Sequence, residues 1–278
     1  MMQLSKRTYH LILLGMLIFS STVSYGQHEI GVFLGGSHYY GDVGRSDFQL
    51  PNKIAGGVLY RHNYGHHFSL RVSLNHGEIT AADSLSNLNE RVRRNLEFWS
   101  EIWEASVWLE FNFFPYRIGD PKLHSFFVFA GLSGTHFNPK AYYNESYYVE
   151  LQPLRTEGQG TSLNPNTEPY SLYTMAIPFG VGYKFNLGRY IGVGAEVGFR
   201  RTWSDYLDDV STIYVDPQAL ANEVSSVAAE LSDRSKTGLD YTGYQRGNSQ
   251  NKDWYIFSGI TVTFKIFDVP ERCHDFSF

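Results

Sequence analysis

The chain has 278 residues, a net charge of −5 at pH 7 and an isoelectric point near 6.0; nothing in it requires a second domain, and it has no basic surplus for nucleic acid. Twenty Tyr, twenty Phe and five Trp stand beside 26 Gly, which suits aromatic girdles and tightly curved strands better than an ordinary soluble core. The mean hydropathy of −0.29 does not exclude a membrane protein, because in a β-barrel lipid-facing residues are diluted by lumen-facing ones at every second position.

Lys6 and Arg7 precede an apolar run from Leu11 to Phe19 and a small-residue end at Ser24-Tyr25-Gly26. This order reads as a signal peptide over residues 1–26, cleaved between Gly26 and Gln27. The run is shorter than the roughly 20 residues of a spanning helix, which argues against a retained anchor.

Alternation with period two then predicts eight strands: Glu29 to Tyr39, Lys53 to His62, His67 to Ile79, Trp99 to Phe114, Phe126 to Asn138, Tyr173 to Phe185, Tyr190 to Tyr206, and Trp254 to Phe267. The third sets Phe68, Leu70, Val72 and Leu74 against Ser69, Arg71, Ser73 and Asn75. The fourth sets Trp103, Val107, Leu109, Phe111 and Phe113 against Glu104, Ser106, Glu110 and Asn112. In the fifth, Phe127, Phe129 and Phe137 compete with Val128, Ala130 and Leu132 for the outer face. Pro178 interrupts the sixth, since proline cannot donate to a ladder. The seventh opposes Ile191, Val193, Ala195, Val197, Phe199 and Trp203 to Gly192, Gly194, Glu196, Gly198, Arg200 and Thr202. The eighth opposes Trp254, Ile256, Ile260, Val262, Phe264 and Ile266 to Gly259, Thr261, Thr263 and Lys265. A soluble sandwich would alternate in the same way. The leader, the aromatic strand ends and the connection lengths favour lipid.

Connections run long, short, long, short: brief around Asn63 to His66, Pro115 to His124 and Leu187 to Arg189, and longest at Tyr142 to Leu172 and Leu207 to Asp253. The expected fold is therefore an all-β, eight-stranded, antiparallel up-and-down outer-membrane barrel over residues 27–267, with long extracellular loops. Both ends of the mature chain, including a tail over residues 268–278, fall in the periplasm.

Parity places Glu29, Arg61, Arg71, Glu104, Glu110, Lys184, Glu196, Arg200 and Lys265 in the lumen, close to a balance of signs. Eight strands leave an interior that side chains can fill, so these charges are expected to pair and plug it. In the longest loop, Pro217 follows Asp216, and Leu220, Val224, Val227 and Leu231 recur at helical spacing, predicting a helix at the barrel mouth.

Little in the sequence points to catalysis or metal. Asp205, Asp208 and Asp209 lack the spacing and glycine of a calcium loop and read as a solvated rim or a salt-bridge network. The histidines are scattered, His66-His67 reads as a polar turn, and no nucleophile-elbow, zincin or phosphate-loop motif occurs. No enzyme activity, cofactor, metal or small-molecule substrate is expected. Cys273, the single cysteine, stands in the tail and points either to an intermolecular disulfide or to a tolerated free thiol.

Several segments carry a resemblance: His28-Glu29-Ile30-Gly31-Val32-Phe33-Leu34-Gly35-Gly36 with Tyr39-Tyr40-Gly41-Asp42, Phe111-Asn112-Phe113-Phe114-Pro115-Tyr116, Phe137-Asn138-Pro139-Lys140-Ala141, and Leu151-Gln152-Pro153-Leu154 with Thr156-Glu157-Gly158-Gln159-Gly160. To these add Asp205-Tyr206-Leu207-Asp208-Asp209-Val210-Ser211-Thr212 and Arg246-Gly247-Asn248 before Asn251-Lys252-Asp253-Trp254-Tyr255. Together they resemble the PorG-like outer-membrane proteins of Bacteroidetes, associated with the type IX secretion system. The resemblance implies a non-enzymatic barrel that associates with a periplasmic ring of PorK and PorN during protein secretion and gliding motility. The outer-membrane lipid and that ring are the partners expected; a small transport barrel or porin, or a lipid-modifying enzyme, are the alternatives.

Overall fold

Alternation along the chain becomes nine antiparallel strands among the described residues: β1 (Gly26–Tyr40), β2 (Lys53–Tyr64), β3 (Phe68–Ala82), β4 (Glu97–Asn112), β5 (His124–Tyr143), β6 (Tyr147–Glu150), β7 (Tyr173–Leu187), β8 (Ile191–Thr202) and β9 (Trp254–Asp268). The computed structural model describes residues 26–47, 49–119, 124–143, 147–235 and 237–268, without the side chains of residues 267 and 268. Most of the predicted leader and the tail with Cys273 lie outside the described residues.

β1 to β5 pair in chain order, β5 pairs with β7, β7 with β8, β8 with β9 and β9 with β1, so the wall closes as an eight-stranded barrel. β6 stands apart from the wall, folding back on the far end of β5 as a short hairpin. One bulge interrupts the closing seam between His28 and Glu29. Pro178 keeps its pairing with Arg200 on β8, while the β5 ladder stops at Ala130–Phe179 and resumes at Ser133–Ala176. The gap thus falls on the side where a proline has no N–H to give.

Sidedness is inverted relative to a soluble protein. Val107 and Leu109 are 48% and 54% exposed on the outside, whereas Trp108 and Glu110, which alternate with them, are 1% and 0% exposed. Row by row, Tyr60, Val72, Val107 and Leu132 meet across neighbouring strands as a continuous exposed belt. Such a surface is stable only against hydrocarbon, and closure leaves no backbone edge unpaired in it; this is an outer-membrane β-barrel. No helix among the described residues is long and apolar enough to cross a membrane; the strands do so.

The fifth strand is now unambiguous. Phe127, Phe129 and Phe137 face inward and are buried, and Val128 and Leu132 face out. Inward glycines make the room: a Cβ on Gly182 would lie 2.4 Å from the Phe127 ring, and one on Gly198 would lie 2.4 Å from the Arg200 guanidinium. Ile256, assigned to the outer face with Ile260, is 6% exposed and so does not join the open belt.

At the loop end the long connections fold into a cap. The segment after β3 forms a short turn and α1 (Asn89–Arg94). The single helix expected after Pro217 is two, α2 (Pro217–Glu223) and α3 (Ser226–Ser232). Asp216 caps the first by accepting from the Gln218 and Ala219 amides, and Ser225 caps the second by accepting from the Ala228 amide. A residue in the extended N-cap conformation cannot also continue the preceding helix, so the apolar spacing survives the break while the helix does not.

Candidate functional site

Eight of the nine charged residues placed inward by parity lie in two closed clusters. Nearer the turn end, Arg61 bridges Glu29 (Nη1 to Oε2, 2.8 Å) and Glu110 (Nε to Oε2, 3.0 Å). Lys184 Nζ lies 3.0 Å from Glu110, and Arg71 Nη1 lies 2.6 Å from Glu196 and 3.8 Å from Glu110. Three carboxylates thus face three cations. Nearer the loop end, Arg200 Nε donates to Glu104 Oε2 at 3.0 Å, and Tyr255 and Asn75 donate to the same carboxylate at 2.7 and 2.9 Å. Lys265 has the inward parity but sits at the turn end beside the Tyr190 ring, 5.6 Å from its centroid, outside these clusters.

Between the charges lies an aromatic layer that sequence reasoning left unassigned. Trp108 stacks on Phe129 with centroids 4.4 Å apart, and the Arg71 guanidinium lies 4.3 Å over the Trp108 ring. Arg200 lies 4.7 Å over Phe257, and Lys184 sits 4.8 Å from both Tyr116 and Phe127. Cation–π contact and pairing together offset the large cost of taking these ions out of water. Trp108 shares its parity with Glu104, Ser106 and Glu110, which was the available signal. The interior that results is a brace between opposite walls, with Arg71 on β3 reaching Glu196 on β8.

The turn end is closed by the β4–β5 connection. Tyr116 and Ile118 are buried, the Ile118 amide donates to Gln27 Oε1 at 2.8 Å, and Gln27 Nε2 donates back to the Ile118 carbonyl at 2.7 Å. Gly26 and Gln27, the expected cleavage position, are therefore the buried first residues of β1.

The loop end holds a second polar centre, and of the two readings of its aspartates the solvated rim is overturned while the salt-bridge network stands. Asp205, Asp208 and Asp209 are 3%, 2% and 0% exposed, because three loops converge on them. Tyr39, at the end of β1, contacts Asp208 at 2.6 Å and Asp253 at 2.8 Å through one hydroxyl. Arg246 pairs with Glu157 (3.1 Å) and Asp209 (3.7 Å), and Glu157 also accepts from the Ser211 and Thr212 amides. Thr156 and Tyr170 donate to Asp209. Asp83 accepts from Arg94 at 2.7 Å and from the Gly44 amide at 2.9 Å. Burial pushes Asp205 up to about 7 and Asp209 up to about 6, the latter held back by Arg246; burial raises Asp208 and Asp253 as well, with repulsion from Asp42 adding at the first and from Asp208 at the second. No group of three or more carboxylate, imidazole or thiol side chains suited to a metal occurs among the described residues.

A family model described as "Domain of unknown function (DUF6089)" matches residues 6–221. The chain belongs to this DUF6089 family. A search of curated proteins returns no match. Among solved structures, the chain is similar to the N-terminal β-barrel domain of OprF from Pseudomonas aeruginosa, at 10% identity over 87% of this chain and 98% of that one, with a TM-score of 0.36. It is likewise similar to Ail, the attachment invasion locus protein of Yersinia pestis, at 9% identity over 87% and 97%, with a TM-score of 0.38. Family membership adds no assigned residue, so the roles of these DUF6089 side chains rest on the geometry above. Of the remaining positions singled out in the sequence, His67 bonds the Asn112 carbonyl through Nδ1 at 2.8 Å, and the His66 carbonyl accepts from the Tyr116 amide, tying that turn to the plug.

Proposed function

We propose that this DUF6089 protein is a non-enzymatic component of the type IX secretion and gliding apparatus of Bacteroidetes, anchoring or scaffolding a periplasmic ring of the PorK/PorN kind at the outer membrane. The observation that carries the reading is the braced lumen: with ion pairs and stacked rings filling the interior, the barrel is built to hold a position in the membrane and not to pass solute. The resemblance to PorG-like proteins supplies the partner class. Short turns and both chain ends are assigned to the periplasm and the folded cap to the outside, following the habit of such barrels. A leader removed at Gly26–Gln27 belongs to the same proposal.

The ring-facing surface of this reading is Pro115 to His124 with the tail around Cys273. Tyr116 and Ile118 point into the barrel, which leaves Phe113, Phe114 and Pro115 as the exposed part of that turn; residues 120–123 and the tail lie outside the described residues. Affinity purification through a C-terminal tag, with crosslinkers placed in this turn, tests the proposal. Recovery of a periplasmic ring lipoprotein crosslinked to the turn or tail is expected, and crosslinks confined to Tyr142 through Leu172 would reject it. Running Cys273→Ser beside wild type on a non-reducing gel decides whether the partner is held by a disulfide.

A further inference from the structure

We propose that His28 and His62 form a binding site for a divalent transition-metal ion, of the zinc, copper or nickel class, on the outer face of the barrel at its turn end. The inference is independent of the secretion reading.

His28 on β1 and His62 on β2 are direct register partners, with ring centroids 4.5 Å apart. Their Nδ1 atoms approach to 3.3 Å, and the Tyr60 hydroxyl lies 2.6 Å from His28 Nδ1. Both imidazoles are half-buried and open on one side.

Hydrogen bonding alone serves this trio poorly. A neutral Nδ1 offers either one proton or one in-plane lone pair, so His28 cannot satisfy both Tyr60 and His62 through that single atom. Two Nδ1 lone pairs converging on one cation remove the conflict, with each ring keeping its proton on Nε2. The spacing agrees with such a cation: two nitrogens at about 2.0–2.1 Å from a tetrahedral metal stand about 3.3–3.4 Å apart. Imidazole donors select zinc, copper or nickel, while the carboxylate oxygens that calcium or magnesium require are turned to the other face, where Glu29 pairs with Arg61. Water completes the coordination, because the Tyr60 hydroxyl, 2.6 Å from His28 Nδ1, is nearer than two ligands of one tetrahedral metal stand. A bound ion would clip β1 to β2 beside the bulge in the closing seam.

The test uses detergent-purified full-length protein carrying Cys273→Ser and His274→Ala, stripped with EDTA and titrated with Zn2+ and with Co2+. One equivalent is expected to bind, with a cobalt d–d absorption characteristic of nitrogen ligation. His28→Ala and His62→Ala are each expected to weaken Zn2+ binding by about tenfold or more. Heat-modifiable migration on a gel verifies that both variants fold. Absence of Zn2+ binding by the parent, or equal binding by the folded His28→Ala/His62→Ala protein, overturns the site.

Discussion

Arg246 reaches from the last loop to Glu157 in the middle one, Nη1 to Oε1 at 3.1 Å across 89 residues of sequence, and both side chains are buried. The same guanidinium donates to the Asp209 carbonyl at 2.6 Å and to the Ser232 carbonyl at the end of α3 at 3.1 Å. One cation therefore ties three loop segments and a helix end into a single cap.

Arg246→Leu removes that tie and strands two buried carboxylates, Glu157 and Asp209. Breaking a buried pair by deleting one partner costs about 3–5 kcal/mol, and here the cost falls on the cap. Limited proteolysis is expected to cut within residues 203–253 of the variant at protease levels that leave wild type intact, while the barrel keeps its heat-modifiable migration. An uncut variant would show that the loops hold without the ion pair.

How much of this was legible in the sequence follows from where each partner lies. The wall was readable because its signal is local: apolar and polar residues alternate within a strand, and all eight wall strands fall where the period placed them. Phe127 and Phe129 blurred the fifth strand because a lumen lined with cations accepts rings as readily as lipid does, so hydrophobicity there no longer marks a side. The cap was opaque for the opposite reason. Asp208 and Asp209 are neighbours that would repel one another in a solvated loop; their burial depends on Tyr39, 169 residues from Asp208, and on Arg246, 37 residues from Asp209. No window of the chain contains that information.

A cap built around carboxyl groups held above their usual range responds to pH. Asp205, raised to about 7, and Asp209, raised to about 6, bind protons more tightly in the folded cap than in an unfolded chain. Their contribution is complete below the ordinary aspartate range near about 3.9 and is lost as pH rises through about 6 to 7. The Tyr39 hydroxyl between Asp208 and Asp253 acts in the same sense, since one proton cannot serve two carboxylates. Amide exchange in residues 203–253 is expected to be slower at pH 5 than at pH 8 after correction for intrinsic rates. Asp205→Asn should flatten that difference.

The lumen brace makes two linked predictions about passage and stability. Wild-type protein in planar bilayers is expected to give no conductance above the bare membrane. Trp108→Ala combined with Phe129→Ala removes the stacked pair and empties the layer over which Arg71 lies, each truncation costing about 3–5 kcal/mol. Discrete ion conductance should then appear, accompanied by unfolding at lower urea. Steady channels in wild type would put the transport reading in place of the scaffold.

Lipid contact itself is open to a paired substitution in one strand. Val107 meets Val72 and Leu132 in the apolar belt, whereas Ser106, one residue away, is 3% exposed and faces the lumen. If hydrocarbon covers the belt, Val107→Arg places a charge near the bilayer centre, at a cost of about 2–4 kcal/mol. Ser106→Ala removes a hydroxyl that has no hydrogen-bond partner among the described residues and should cost far less. Folding yields into phospholipid vesicles, read by gel mobility, are expected to fall steeply for the first and to stay close to wild type for the second. In a water-soluble fold the ranking would disappear, because an arginine on an exposed face is tolerated; equal yields would therefore remove the membrane assignment along with the anchoring role built on it.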